Sequence, residues 1–471
     1  MNSSTSKPQS RISTGHTIFI VSAVQFLAPF MMSAVGVALP TIGRFYGASA
    51  VSLALVEMVY MLAVTLFLLP MGRLADITGR KKIFVSGVAL FALATILLPF
   101  SPSIGIFIAI RFLQGIGVSC TVSTSVAILS SVVPKEKRGK AMGIIVACVY
   151  LGLSAGPTLA GLMIAWLGWQ WIFFATVPLA LAALILTLTQ LKGEWKGAEG
   201  EPFDRMGSII YMAALSCLIV GVSHLESHAW APGLMAAGMI FMAVFTVFEY
   251  RHPFPILDIR LLLGNRVLAF SNIATWINYA ASFGLTFFFS LYLQVVKGMS
   301  AQATGFVLIV QPVIQAVLSP LSGALSDKIS AAKLSTAGMA ICAAGLGFAA
   351  VLGQDAGIWQ VLVVLVIMGV GFAVFSTPNM TTVMGSVGPR HYGIASSLVA
   401  TMRSIGMLTA MTITTLLLSM FMGDAGVSTA TAPGFLKTMH TAFMIFALLS
   451  LVGIVFSMAR VAQKPGPAPK R

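Results

Sequence analysis

The sequence predicts an all-α membrane protein of fourteen transmembrane helices, built as two six-helix bundles with an extra helix pair between them. Three observations carry this: apolar runs of membrane-spanning length that follow one another almost end to end, a one-sided distribution of positive charge, and an internal repeat.

Of the 471 residues, 58% are hydrophobic and 9% charged, whereas a soluble globular chain is about a quarter charged. A water-soluble fold is excluded, and the bilayer is the expected surrounding of most of the chain. A helix needs roughly 20 mostly apolar residues to cross a hydrocarbon core of about 30 Å. The predicted spans are 17–40, 50–70, 83–101, 104–132, 141–165, 171–190, 206–224, 232–250, 267–296, 303–325, 334–352, 358–382, 392–420 and 437–460. Glycine and proline are frequent, as they are in membrane helices, where small residues permit close contact. The polar start, Met1 to His16, leads into a run too long for a signal-peptide core, so the first helix reads as uncleaved.

The formal charge is +15, which in a soluble chain points to nucleic acid. Its placement points elsewhere, and no nucleic-acid partner is expected. Most of the 28 Lys and Arg fall in alternate loops, among them Arg73 and Arg80 to Lys82, Lys135 to Lys140, and Lys192 to Arg205, with Arg460, Lys464, Lys470 and Arg471 at the end. The positive-inside rule then places both termini in the cytoplasm of a multi-pass protein of the inner (cell) membrane. An even number of spans agrees. Trp166, Trp169, Trp171, Trp230 and Trp359 stand at loop edges, where interfacial anchors belong. Cys120, Cys148, Cys217 and Cys342 lie in apolar stretches without CxxC spacing and read as packing residues, with no disulfide or metal site.

Gly72-Arg73-Leu74-Ala75-Asp76, between spans 2 and 3, recurs as Gly323-Ala324-Leu325-Ser326-Asp327 between spans 10 and 11. Gly115-Ile116-Gly117 returns as Gly369-Val370-Gly371, and Pro134 to Gly139 as Pro389 to Gly393, at nearly the same offset. The chain divides into a bundle at 1–190, a linker with the extra helix pair at 191–266, and a second bundle at 267–471. Parallel repeats of this kind build a rocking carrier with its substrate site near the bilayer midplane.

The loop Gly72-Arg73-Leu74-Ala75-Asp76-Ile77-Thr78-Gly79-Arg80-Lys81-Lys82 resembles the helix 2–3 signature of the major facilitator superfamily. The resemblance implies that Asp76, with Arg73 and Arg80 and the turn glycines Gly72 and Gly79, latches the cytoplasmic ends together, with Asp327 as its repeat. The other reading is a solvated loop whose positive charge only sets topology. Ile110-Arg111 through Gly115-Ile116-Gly117 is similar to the family's intramembrane arginine motif. An arginine at a helix centre costs about +2.5 to +3.5 kcal/mol, so Arg111 is a functional candidate, against snorkelling to an interface. Gly143, Gly152, Gly156-Pro157 and Gly161, with Ala160, match the antiporter signature of the drug-export branch. Gly152, Gly156 and Ala160 form a smooth stripe that also suits plain helix packing. Trp169 to Phe173 and Glu249-Tyr250-Arg251 look like the fourteen-helix branch as well. Arg403 resembles that branch's helix 13 arginine, facing either the bundle interior or the cytoplasm.

One departure bears on mechanism. The fourteen-helix exporters carry an Asp in helix 1 before an Ala-Leu-Pro ending; here Ala38-Leu39-Pro40 is present but Met31 stands at the acid's place. The acid well inside a predicted span is Glu57, with Tyr60 and Met61 on the same helix face. A carboxyl in a low-dielectric site can exchange protons near neutral pH, so Glu57 is expected to bind protons or cationic substrate; the plainer reading is a Glu near the outer interface bonded to a neighbour. Gln25, Met31, Asn272, Trp276, Asn278, Gln311, Gln315 and Asn379 are candidates for lining an adaptable pocket.

The sequence holds no Walker A string, HExxH, GxSxG or kinase signature set, so no enzymatic activity and no cofactor are expected, with the proton as coupling ion. The resemblance implies a monomeric secondary transporter that exports amphipathic, cationic compounds in exchange for protons by alternating access. Two other functions stay open: a facilitator or importer of a small metabolite, and a non-transporting membrane sensor.

Overall fold

The computed structural model describes residues 14–224, 228–422 and 432–460. Lys7, Arg11, Lys464, Lys470 and Arg471, counted in the charge pattern, lie outside the described residues. Every regular element described is helical. Fourteen helices are long and apolar enough to cross a membrane: α1 Thr14–Tyr46, α2 Ser52–Thr78, α3 Arg80–Phe100, α4 Ile104–Val132, α5 Lys135–Trp166, α6 Trp171–Gln190, α7 Arg205–Ser223, α8 Ala231–Arg251, α9 Arg266–Val296, α10 Gln302–Ser326, α11 Ala331–Ala349, α12 Ile358–Ser386, α13 Pro389–Met422 and α14 Pro433–Ala459.

These agree with the expected spans one for one, and several run further. Hydropathy marks only the hydrocarbon part of a helix, whereas backbone bonding continues until a stop signal. Thus α1 passes Pro40 and ends only before Gly47, whose φ of 61° suits glycine. Between α2 and α3 the chain turns on Gly79 alone, at φ 125°. Ser103 caps α4, Asp204 caps α7 and Ser330 caps α11, each accepting a backbone N–H from the first turn. Two spans are broken: α9 bends at Phe283 and closes in a π turn at Tyr292–Val296, and α10 bends at Ile309.

The cores follow the repeat. One apolar cluster fills α1 to α6, taking in Tyr392 and Ala395 of α13, and a second fills the bundle of α9 to α14 around Phe288, Phe289 and Phe443. The halves meet where α5 packs on α10 and α2 on α13. Along the second seam sits α7: Tyr211, Leu215 and Ile219 pack with Leu66 and Leu69 of α2 and Ile394 and Leu398 of α13. The extra pair thus straddles both halves.

Four of the five expected interfacial tryptophans are exposed. Trp169 is instead 2% exposed, ringed by Phe45, Tyr46, Phe107 and Phe173. Its place at the start of α6 points it into the bundle, where aromatic neighbours bury it. Arg460, expected as one more basic residue of the end segment, is buried at the foot of α14 and donates to Asn379, Ser335, Ser271 and Ser457. Burial pushes the Arg460 guanidinium down to about 10. The cysteines are free, Cys120 and Cys342 buried and the others partly so.

Candidate functional site

Glu57 sits two turns into α2 and Arg111 two turns into α4, at the membrane ends remote from Asp76. Arg111 Nη2 donates to Glu57 Oε1 at 3.0 Å, and the arginine is fully buried while the Glu57 side chain is 26% exposed. Arg111 Nη1 donates to Gln114 Oε1 at 2.6 Å, and Gln114 Nε2 to Thr95 Oγ1 at 2.9 Å. The Tyr60 ring lies under the guanidinium, 4.1 Å from its centroid. Glu57 with Tyr60, and Arg111, which the sequence singled out apart from them, therefore form one polar group inside the first half. Gln114 and Thr95, which complete it, were missed in the sequence; a Gln one turn after an intramembrane Arg on the same face is the signal that points to the first.

At the other, basic end, two equivalent contacts join the halves. Asp76 is fully buried; its Oδ1 accepts from Arg80 Nε at 2.8 Å and Nη2 at 2.6 Å, and its Oδ2 accepts from Ile394 N at 3.2 Å. Arg80 Nη2 reaches on to Pro389 O at 2.6 Å. In the repeat, Asp327 Oδ1 accepts from Gly139 N at 2.7 Å and Oδ2 from Lys140 N at 2.9 Å. Each carboxylate thus meets the first turn of a helix in the opposite half, where free N–H groups favour an anion. The approach is close: a Cβ on Gly72 would lie 1.9 Å from Ser397 Oγ.

Arg73 does not touch Asp76 directly. It donates to Glu201 of the linker at 2.5 Å, and Arg390 of the other half donates to the second Glu201 oxygen. Burial pushes the Glu201 carboxyl up, but Arg73 and Arg390 together outweigh this and hold it below the usual carboxylate range. The linker lies across the seam: Gly197 and Ala198 donate backbone N–H to Asp76 O at 2.9 and 2.8 Å, and Trp195 O accepts from Arg80 N at 3.0 Å. Sequence reasoning saw this stretch only as a connector, because the value of Glu201 depends on two arginines far away in the chain.

The α5 signature serves two partners. Gly152 and Gly156 lie against Phe26 and Phe30 of α1, while Gly143 faces α10, where a Cβ would come within 2.3 Å of Ser319 O. Pro157 is on the exposed side, and Gly161 has open space beside it, outside the packed stripe. Arg403 of α13 is half-buried.

Of the eight candidates for pocket lining, Trp276 is exposed, its Nε1 donating to Thr409 at 3.1 Å. Gln25, Met31, Asn272, Asn278, Gln311, Gln315 and Asn379 are buried in packed helices. Asn379 is committed inside the second half, donating to Thr275 Oγ1 at 2.8 Å and accepting from Arg460. Sequence alone does not orient a polar side chain on an apolar helix.

Comparison with known proteins agrees with the fold. The family model described as Major Facilitator Superfamily matches residues 21–407 and 271–471. The chain is 27% identical to the riboflavin transporter RibZ of Clostridioides difficile over 82% of this chain and 84% of that one. It is 30% identical to the multidrug resistance protein Stp of Mycobacterium tuberculosis over 84% of this chain and 73% of that one. The crystal structure of the human organic anion transporter MFSD10 (TETRAN) has the same fold, with a TM-score of 0.64 at 13% identity, covering 96% of this chain and 100% of that one.

Proposed function

We infer that this chain, which belongs to the Major Facilitator Superfamily and is a membrane transporter, exports amphipathic cationic compounds from the cytoplasm in exchange for protons. The observation that carries the coupling is the Glu57–Arg111 pair. Met31 stands where the branch's helix 1 acid is expected, and Glu57 supplies an intramembrane carboxylate in its place.

The geometry suits a carboxylate that changes charge in each cycle. Glu57 is partly exposed and its arginine is fully buried, so a proton reaches the acid without the base being uncovered. When Glu57 is protonated, Arg111 still has Gln114 Oε1 and the Tyr60 ring. Its charge is therefore not orphaned, which limits the several kcal/mol that a broken buried pair costs. A cationic substrate competes with the proton and with Arg111 for the same carboxylate. Asp76, Arg80, Glu201 and Asp327 act at the basic, cytoplasmic end as the latch that alternately joins and frees the halves. Similarity to Stp, named for multidrug resistance, supports export.

Substrate flux in proteoliposomes under an imposed pH gradient tests this. Wild type couples substrate movement to the proton gradient, and flux in Glu57→Gln no longer responds to that gradient. Unchanged coupling in Glu57→Gln removes Glu57 from the mechanism. Similarity to RibZ, named as a riboflavin transporter, favours a second reading, a carrier of a small metabolite, in which flux follows the substrate gradient alone.

A further inference from the structure

At the foot of the extra helix pair two acids meet with no Lys or Arg between them. Glu249, near the end of α8, is fully buried, and Asp204, which caps α7, is 4% exposed. One oxygen of each has a donor: Asp204 Oδ1 accepts from Gly207 N at 2.8 Å and Glu249 Oε2 from Leu257 N at 2.9 Å. The other two, Asp204 Oδ2 and Glu249 Oε1, are buried without one. They face each other over Gly207, where a Cβ would stand 2.5 Å from the first and 2.1 Å from the second.

We propose that Asp204 and Glu249 share one bound proton, held between Asp204 Oδ2 and Glu249 Oε1, making the foot of α7 and α8 a proton site separate from Glu57. Two abutting carboxylates do not both ionise in a buried site, and a single O–H between them satisfies both orphaned oxygens at once. The neighbouring charges do not provide another donor. His252 Nδ1 lies 3.5 Å from Asp204 Oδ2 without a hydrogen bond between them, and it accepts the Phe254 N–H at 3.2 Å. Arg260 is turned to Asp258 and the His252 carbonyl, and Arg205 and Arg251 are exposed. Glu201, three residues before Asp204, is taken by Arg73 and Arg390.

Position supplies a role. Asp204 ends the linker that lies across the seam, and Glu249 holds the chain leaving α8 through Leu257. The proton therefore ties the linker to the extra pair. Loss of the proton sets two carboxylates against each other at that point. This does not depend on proton-driven export, since the site lies on the extra pair and not in either half.

The test is infrared difference spectroscopy of the full chain in nanodiscs at neutral pH. Wild type shows the carbonyl stretch of a protonated carboxylic acid, and Glu249→Gln and Asp204→Asn each lose the same single band, because an amide then donates to the remaining carboxylate. Asn at 204 still caps α7, so that variant keeps the test usable if Glu249→Gln does not fold. Thermal stability is the second readout. Folding takes up a proton that ordinary carboxyls have already released, so wild-type stability falls as pH rises through and above neutral until the site itself deprotonates; both variants lose that slope. A wild-type spectrum without the band overturns the proposal, as does a midpoint that rises with sodium in its absence, which assigns the gap to a metal cation.

Discussion

Asp76 and Asp327 occupy the same place in the two repeats and make the same kind of contact in opposite directions: Asp76 accepts one backbone N–H from the first turn of α13 and Asp327 accepts two from that of α5, each in the other half. The segments they meet, around Pro389 and Pro134, are themselves the matched pair of the internal repeat. The symmetry is incomplete, because Arg80 stands beside Asp76 and Ala331 is at the matching place near Asp327.

That difference predicts unequal costs. Asp76→Ala leaves the buried Arg80 without its carboxylate, a loss of about 3–5 kcal/mol for a broken buried pair. Asp327→Ala removes only an acceptor from two N–H groups at a half-buried site, about 1–3 kcal/mol for a donor left unpaired. Thermal unfolding of the two variants in nanodiscs should show the larger drop for Asp76→Ala; equal drops would mean that the arginine adds nothing.

Glu201 predicts a dependence on acid. Its carboxyl ionises below the usual range, so the bridge between Arg73 and Arg390 is complete above that range and is lost as pH falls through the depressed value. Spin labels at Glu199 and Gly385 should report a short, narrow distance at neutral pH that broadens in acid. Glu201→Gln should already be broad at neutral pH, and a distance unaffected by either change would separate the linker from the seam.

The glycines of α5 are not equivalent. Gly143→Ala forces a methyl against Ser319 O and Pro320 Cα of α10, backbone atoms that cannot swing aside, whereas Gly161→Ala meets open space. Overpacking of this kind costs about 1–3 kcal/mol. Gly143→Ala should lower the unfolding midpoint and slow flux, with Gly161→Ala close to wild type in both. Slowed flux from Gly161→Ala would argue for a role beyond helix packing.

Arg460 is a structural cation with hydroxyl and amide partners in place of an acid. Arg460→Ala strands Asn379 Oδ1, and burying an unmade hydrogen bond costs about 1–3 kcal/mol. Arg460→Gln keeps one donor and should recover part of the loss. Unfolding midpoints of both variants check the order; an unchanged midpoint in Arg460→Ala would show that the cluster closes over the gap.

The number of helices, the two halves and the extra pair were legible because they rest on local quantities: apolar run length, the repeat and the turn residues. Glu57, Arg111 and Asp76 were legible for a related reason, since a charge inside an apolar run is conspicuous and costly. The partners of Asn379 were not, because an amide on an apolar helix looks the same whether it faces a cavity or a neighbour. Trp169 read as an interfacial anchor and Arg460 as one basic residue of the end segment, and both are buried by helices distant in sequence. Glu201 and the Asp204–Glu249 pair lie in or beside what looked like a linker, where charges are ordinary. By itself, then, the sequence determined how much chain crosses the membrane and where charge is forced into it, since hydrophobic length and charge burial are properties of each segment alone. Only the tertiary structure decided which charges meet, because a hydrogen bond needs its partners within about 3 Å, and that distance is set by helix packing across the whole fold.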